Sequence, residues 1–256
     1  MQMNPVRILL LAVLFQPLNL FCQQTKIGNE YITVNYEPTT GRFAIVTVKG
    51  DPAFPSDDNH SITGGLLGTF ALLKIDDQYY KFGDTSGKMI SRTVEADRSE
   101  HVWQIKNIEV RQELRLTHSP YTVYPYNVNI KYWIRNQDSA SHKIGIKILM
   151  DTFLGLDDSH PFYVPEMQPV ERELELNAAQ VPDMVCSWDN VSAPASRIVM
   201  NYAGKTVCKP DFLMFANKKR LSSVMWELVP ESGKGYRSSP VEPADTAVSM
   251  RWEPIV

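Results

Sequence analysis

Ile108-Glu-Val-Arg-Gln-Glu-Leu-Arg-Leu116, Val128-Asn-Ile-Lys-Tyr-Trp-Ile-Arg135 and Lys143-Ile-Gly-Ile-Lys-Ile-Leu-Met150 decide the fold. In the first segment Ile108, Val110, Leu114 and Leu116 share one parity, with Gln112 as the exception, and Glu109, Arg111, Glu113 and Arg115 share the other. Val128, Ile130, Tyr132 and Ile134 alternate in the same way with Asn129, Lys131, Trp133 and Arg135. Ile144, Ile146, Ile148 and Met150 alternate with Lys143, Gly145 and Lys147. A period of two gives each strand one apolar and one wet face. Strands of that kind belong in antiparallel sheets, because parallel sheets are covered on both sides.

The same pattern extends outward. Tyr31-Ile-Thr-Val-Asn-Tyr36 and Arg42-Phe-Ala-Ile-Val-Thr-Val48 flank a Pro- and Gly-containing turn, which predicts a hairpin. Residues 70–75 and 78–82 predict another across Asp76-Asp77. Residues 197–202, 223–228 and 247–252 read as further strands, Val181-Pro-Asp-Met184 as one short turn, and no long amphipathic helix stands out. Many short strands separated by turn signals predict an all-β antiparallel β-sandwich. Without an internal repeat or low-complexity linker, residues 25–256 form a single domain. The strand at 247–252 either pairs with an earlier strand or marks a sandwich lacking its closing strand. An open edge there would invite association.

Residues 1–24 read as a signal peptide. Arg7 precedes the apolar run Ile8-Leu-Leu-Leu-Ala-Val-Leu-Phe15, and a polar exit follows at Gln23-Gln24. The run is shorter than the roughly 20 apolar residues a membrane span needs, so no transmembrane span is expected. Export to the periplasm or medium follows, with a lipoprotein anchored at Cys22 as the alternative. Phe21, where a lipoprotein peptidase wants a small residue, favours ordinary cleavage. The chain carries 26 basic and 29 acidic residues, and its one basic block is Lys218-Lys-Arg220. That balance predicts no nucleic-acid role. Cys186 and Cys208 remain in the mature body, and in an oxidising compartment they could form a disulfide. Closing that loop would stabilise by roughly 3 kcal/mol. Two free thiols are the other reading.

Three segments together resemble a group of exported bacterial β-sandwich proteins. They are Thr39-Thr-Gly-Arg-Phe43, the segment Ile148-Leu-Met-Asp-Thr-Phe-Leu-Gly-Leu-Asp-Asp-Ser-His-Pro-Phe162, and Thr246-Ala-Val-Ser-Met-Arg-Trp-Glu-Pro254. The resemblance implies a sandwich fold and export. It carries over no catalytic residue.

Candidate chemistry concentrates in residues 151–162, where Asp151, Asp157, Asp158 and His160 follow a clean strand. Hard cations take six to eight oxygens, so calcium at Asp151, Asp157 and Asp158 is one expectation; a structural turn is the other, and no other cofactor is implied. Asp57-Asp58-Asn59-His60 is a second polar loop that could add carboxylates of the kind glycosidases use. The sequence contains no HExxH, GxSxG, CxxC or phosphate-binding Gly loop. Trp133 falls on the wet face, where an indole can stack on a sugar or anchor a protein contact. The expectation is therefore a non-enzymatic binding or structural module of the bacterial envelope, with a protein or glycan as partner. A carbohydrate-active hydrolase using Asp151, Asp157, Asp158 and His160 is the alternative.

Overall fold

The computed structural model describes residues 25–48, 61–118, 125–155, 158–189, 197–235 and 244–256. They form strands β1 (Lys26–Gly28), β2 (Ile32–Tyr36), β3 (Phe43–Thr47), β4 (Ser61–Thr63), β5 (Phe70–Ile75), β6 (Gln78–Lys81), β7 (Lys88–Val94), β8 (Arg98–Ile105) and β9 (Ile108–Thr117). There follow β10 (Asn127–Asn136), β11 (Ile144–Gly155), β12 (Phe162–Tyr163), β13 (Leu174–Asn177), β14 (Met184–Trp188), β15 (Arg197–Asn201), β16 (Phe212–Asn217), the helix α1 (Lys218–Ser223) and β17 (Thr246–Ile255). The predicted all-β sandwich architecture is present, and all the paired strands are antiparallel.

A ten-stranded sheet runs β1-β2-β3-β4-β11-β17-β16-β13, with β5 and β6 joined on the β11 side. A four-stranded sheet runs β10-β9-β8-β7, and a three-stranded sheet runs β12-β14-β15. The main core lies between them. Val34, Phe43, Leu73, Met150, Phe215 and Val248 of the large sheet pack in one cluster with Trp103, Val110 and Leu114 of the second and with Val185 and Ile198 of the third. Phe82 meets Trp103 and Tyr132 edge-on, each at 5.8 Å between ring centroids.

Gln112, the polar exception on the apolar face of β9, lies inside this core and donates from Nε2 to the Tyr132 hydroxyl at 2.6 Å. His101, paired with Gln112 across β8 and β9, is 0% exposed and meets Tyr36 edge-on at 5.0 Å. Burial, reinforced by the charge of Arg92, lowers its pKa to about 4, so it is a neutral core residue.

Three expectations change. The wet face predicted for β11 is covered: Leu149 joins Phe70, Leu72, Met214, Ala216 and Ala247 in a second apolar cluster beneath Leu221 and Leu228. Lys147 on that face is 1% exposed. Residues 223–228 are not a strand. Asn217 caps α1 by accepting from the Lys219 N–H at 2.9 Å, and the segment after the helix lies over the sheet. The alternation of Val224, Trp226 and Leu228 mimics a strand because one side of this cover faces apolar surface. The strand predicted at 247–252 is not an open edge, because β17 lies between β11 and β16 and is paired on both sides. Its near-continuous burial, including Ser249 and Arg251, is that of an inner strand. Strands β10 and β7 flank the four-stranded sheet instead. Cys186 and Cys208 are both free thiols, so the disulfide alternative is not realised. Cys186 sits half-buried in β14, whereas Cys208 is exposed in the approach to β16.

Candidate functional site

Strand β11 does not end at Met150. Residues 151–155 keep pairing, with β17 through Asp151 and Ala247, and with β4 through Thr152 and Thr63. Asp151 is therefore a strand residue, 1% exposed. Asp245 lies directly before β17, and the Thr246 N–H donates to the Asp158 carbonyl at 3.0 Å. The Lys218 N–H donates to the Asp245 carbonyl at 2.9 Å. These backbone ties draw Asp151, Asp158 and Asp245 together, with one oxygen from each within 4.8 Å of the others. Lys218 at the start of α1 sends Nζ to Asp151 Oδ2 at 2.7 Å.

Glycines wall the Asp151 carboxylate. A Cβ at Gly64 or at Gly68 would land on it. Gly64 also donates its N–H to the Asp151 carbonyl at 3.1 Å, so Asp151 is held through both backbone and side chain.

Three carboxylates beside one ammonium cannot all be charged cheaply in a half-buried setting. Burial, with the charges of Asp151 and Asp245, pushes Asp158 up to about 8. Burial and Asp151 also raise Asp245. The two side chains are hydrogen-bonded to each other, so the pair shares a proton. Burial works against the Lys218 charge, but its bond to Asp151 and the surrounding carboxylates outweigh it and raise its pKa. The carboxylates are close enough for a hard cation, yet Lys218 already stands on an Asp151 oxygen. Among the described residues, Asp151, Asp158 and Asp245 supply fewer free oxygens than the six to eight calcium prefers. A lysine-neutralised, proton-sharing acid cluster is the better fit to these residues.

Of the predicted site residues, the fold brings Asp151 and Asp158 together. Asp157 and the loop Asp57-Asp58-Asn59-His60 lie outside the described residues. His160 is half-buried and outside the carboxylate set. Asp245 and Lys218 were missed. The signal for Asp245 was its place directly before an apolar strand that mirrors the one bearing Asp151. Within the basic block Lys218-Lys-Arg220, the first and last residues are committed to ion pairs. Lys218 binds Asp151, and Arg220 binds the buried Glu173, with Nη2 at 3.0 Å from Oε2, and also Glu231.

Trp133 lies on the outer face of the four-stranded sheet, as its parity predicted, and is 45% exposed. It pairs with Arg111 of β9, whose guanidinium carbon is 5.9 Å from the ring centroid. Along β10, Lys131 and Arg135 flank it on the same face.

No protein-family model matches the chain, and no curated protein matches it. Among the described residues, no helix is long and apolar enough to cross a membrane.

Proposed function

We propose that the protein is an exported bacterial envelope module, periplasmic or secreted, that binds a protein or glycan partner through the outer face of β7–β10. The observation that carries this reading is Trp133, an indole left 45% exposed on the edge strand of a polar sheet face. Covering a large apolar side chain contributes roughly 1.5–3 kcal/mol, and Trp is enriched among residues that dominate binding. Export is supported by the pattern of residues 1–24 and by the resemblance of the three segments at 39–43, 148–162 and 246–254. A photo-crosslinker placed at position 133 in the source envelope tests the reading. A stoichiometric adduct with one protein or glycan is expected; a solitary monomer sinks it.

The hydrolase alternative has one observation in its favour. Asp158 and Asp245 share a proton towards neutral pH, an arrangement suited to acid and base roles. The oxygens are closer than 4.8 Å, however. Glycoside hydrolysis uses carboxylates about 5–9.5 Å apart. Hydrolysis of a polysaccharide that vanishes in a folded Asp158→Asn variant would establish the enzyme and displace the binding reading.

A further inference from the structure

The outer face of the four-stranded sheet carries more than an exposed indole. Cross-strand registers put Lys131 opposite Glu113, Trp133 opposite Arg111, Arg135 opposite Glu109 and Asn129 opposite Arg115. The next rows add Arg98 and Glu100 from β8 and Lys88 from β7. The face thus holds Lys88, Arg98, Arg111, Arg115, Lys131 and Arg135 against Glu100, Glu109 and Glu113, in a chain with 26 basic and 29 acidic residues. The excess is not spread evenly. Arg98 is engaged by Glu95 and Glu113, Arg111 lies 3.9 Å from Glu100, and Arg115 lies 3.7 Å from Asp97. Glu109 accepts from Gln137 rather than from Arg135. Among the described residues, Lys131 and Arg135 have no ion-pair partner. They are the two cations on either side of Trp133 on the outermost strand.

We infer that the partner is a polysaccharide bearing uronic-acid carboxylates, bound along β10 with a sugar ring against Trp133 and its carboxylates on Lys131, Arg135 and Arg111. This rests on the binding reading above and deepens it. A strand advances about 3.4 Å per residue, so Lys131, Trp133 and Arg135 present a cation, a ring and a cation at intervals of roughly 7 Å. A guanidinium fork matches a carboxylate with two parallel hydrogen bonds, and the indole supplies the apolar face that a sugar ring stacks on. Among the described residues no strand pairs with the other side of β10, which leaves backbone donors and acceptors beside the same row for sugar hydroxyls.

The test uses the mature chain with polygalacturonate as probe and dextran as its neutral counterpart, followed by calorimetry and indole fluorescence. Polygalacturonate is expected to bind, to change the Trp fluorescence and to weaken as salt rises. Trp133→Ala, and separately Lys131→Gln with Arg135→Gln, are each expected to weaken binding by about tenfold or more while circular dichroism stays unchanged. No binding of polygalacturonate overturns the inference. So does equal binding of dextran, or binding that neither variant weakens. A crosslink from position 133 to an envelope protein would also overturn it, while leaving the broader binding reading in place.

Discussion

Lys218 Nζ lies 2.7 Å from Asp151 Oδ2, and this contact joins the start of the helix to the middle of the largest sheet. Asp151 is almost fully enclosed, so the ammonium is what makes its charge tolerable. Lys218→Met should therefore destabilise by about 3 kcal/mol, since it leaves a buried carboxylate uncompensated. Adding Asp151→Asn should restore part of that loss. Denaturant titrations of the two single variants and the double variant measure the coupling. Strictly additive effects would mean that the contact carries no energy.

Gly64→Ala tests the wall around the same carboxylate. The new methyl would collide with Asp151, and overpacking of this kind costs about 1–3 kcal/mol. Thermal melts should show the loss, and Asp151→Ala in the same background should recover part of it.

The pH dependence of stability has two opposed limbs. His101 stays neutral in the folded protein down to about 4, against an ordinary value of 6.5. As pH falls from 6.5 towards 4 the unfolded chain takes a proton that the folded protein refuses, and stability is lost. Asp158 behaves in reverse, holding its proton up to about 8 against an ordinary value of 3.8. Its contribution is complete below the lower value and disappears as pH rises through about 8; Asp245, also raised, adds to that decline. His101 partly offsets the decline below 6.5, so denaturation midpoints should fall more steeply between 6.5 and 8 than below 6.5. Asp158→Asn should flatten the fall. A fall of full size in that variant would place the titration elsewhere.

Lys147 is buried beside Arg251 across the β11–β17 pair, with a bond to the Val224 carbonyl at 3.3 Å. Burial and then Arg251 lower its pKa to about 8. Lys147→Met should stabilise near pH 7 by roughly 1 kcal/mol, because the desolvated charge is removed and the volume is kept. The gain should shrink as pH rises from about 8 towards 10.5, where folded and unfolded lysine become neutral alike. Destabilisation at pH 7 would show that the Val224 bond outweighs the desolvation.

Both thiols should be present in native protein prepared without reductant. Cys208 is exposed, whereas Cys186 is half-buried with its thiol pushed up by burial. Alkylation followed by mass spectrometry should modify Cys208 first and Cys186 slowly. A mass two hydrogen atoms short, with neither thiol reactive, would refute this.

Strand identity was legible wherever one face meets water. For β9 and β10 the alternation of apolar and charged residues gave both the strands and the exposed position of Trp133. It failed for β11, whose Lys147 looks solvent-facing but lies under the segment after α1. Cover by a distant segment leaves no mark on local periodicity. The acid cluster was half legible for a similar reason. Asp151 and Asp158 are near in sequence, but Asp245 and Lys218 arrive through β17 and α1, and only the strand order brings them in. Gln112 was visible as a break in the pattern, yet its reason, the Tyr132 hydroxyl, sits on the neighbouring strand.

Strand β17 occupies the interior of the large sheet, hydrogen-bonded to β11 and β16 on either side. Until residues 246–255 arrive, those two strands have no common neighbour, and the sheet cannot close however much of the chain has already been synthesised. Folding must therefore wait on distant contacts, which makes it slow and leaves a long interval in which the polypeptide stays extended. The strand at residues 246–255 is thus the latch of the large sheet, because it joins two strands that come from earlier, separate parts of the chain.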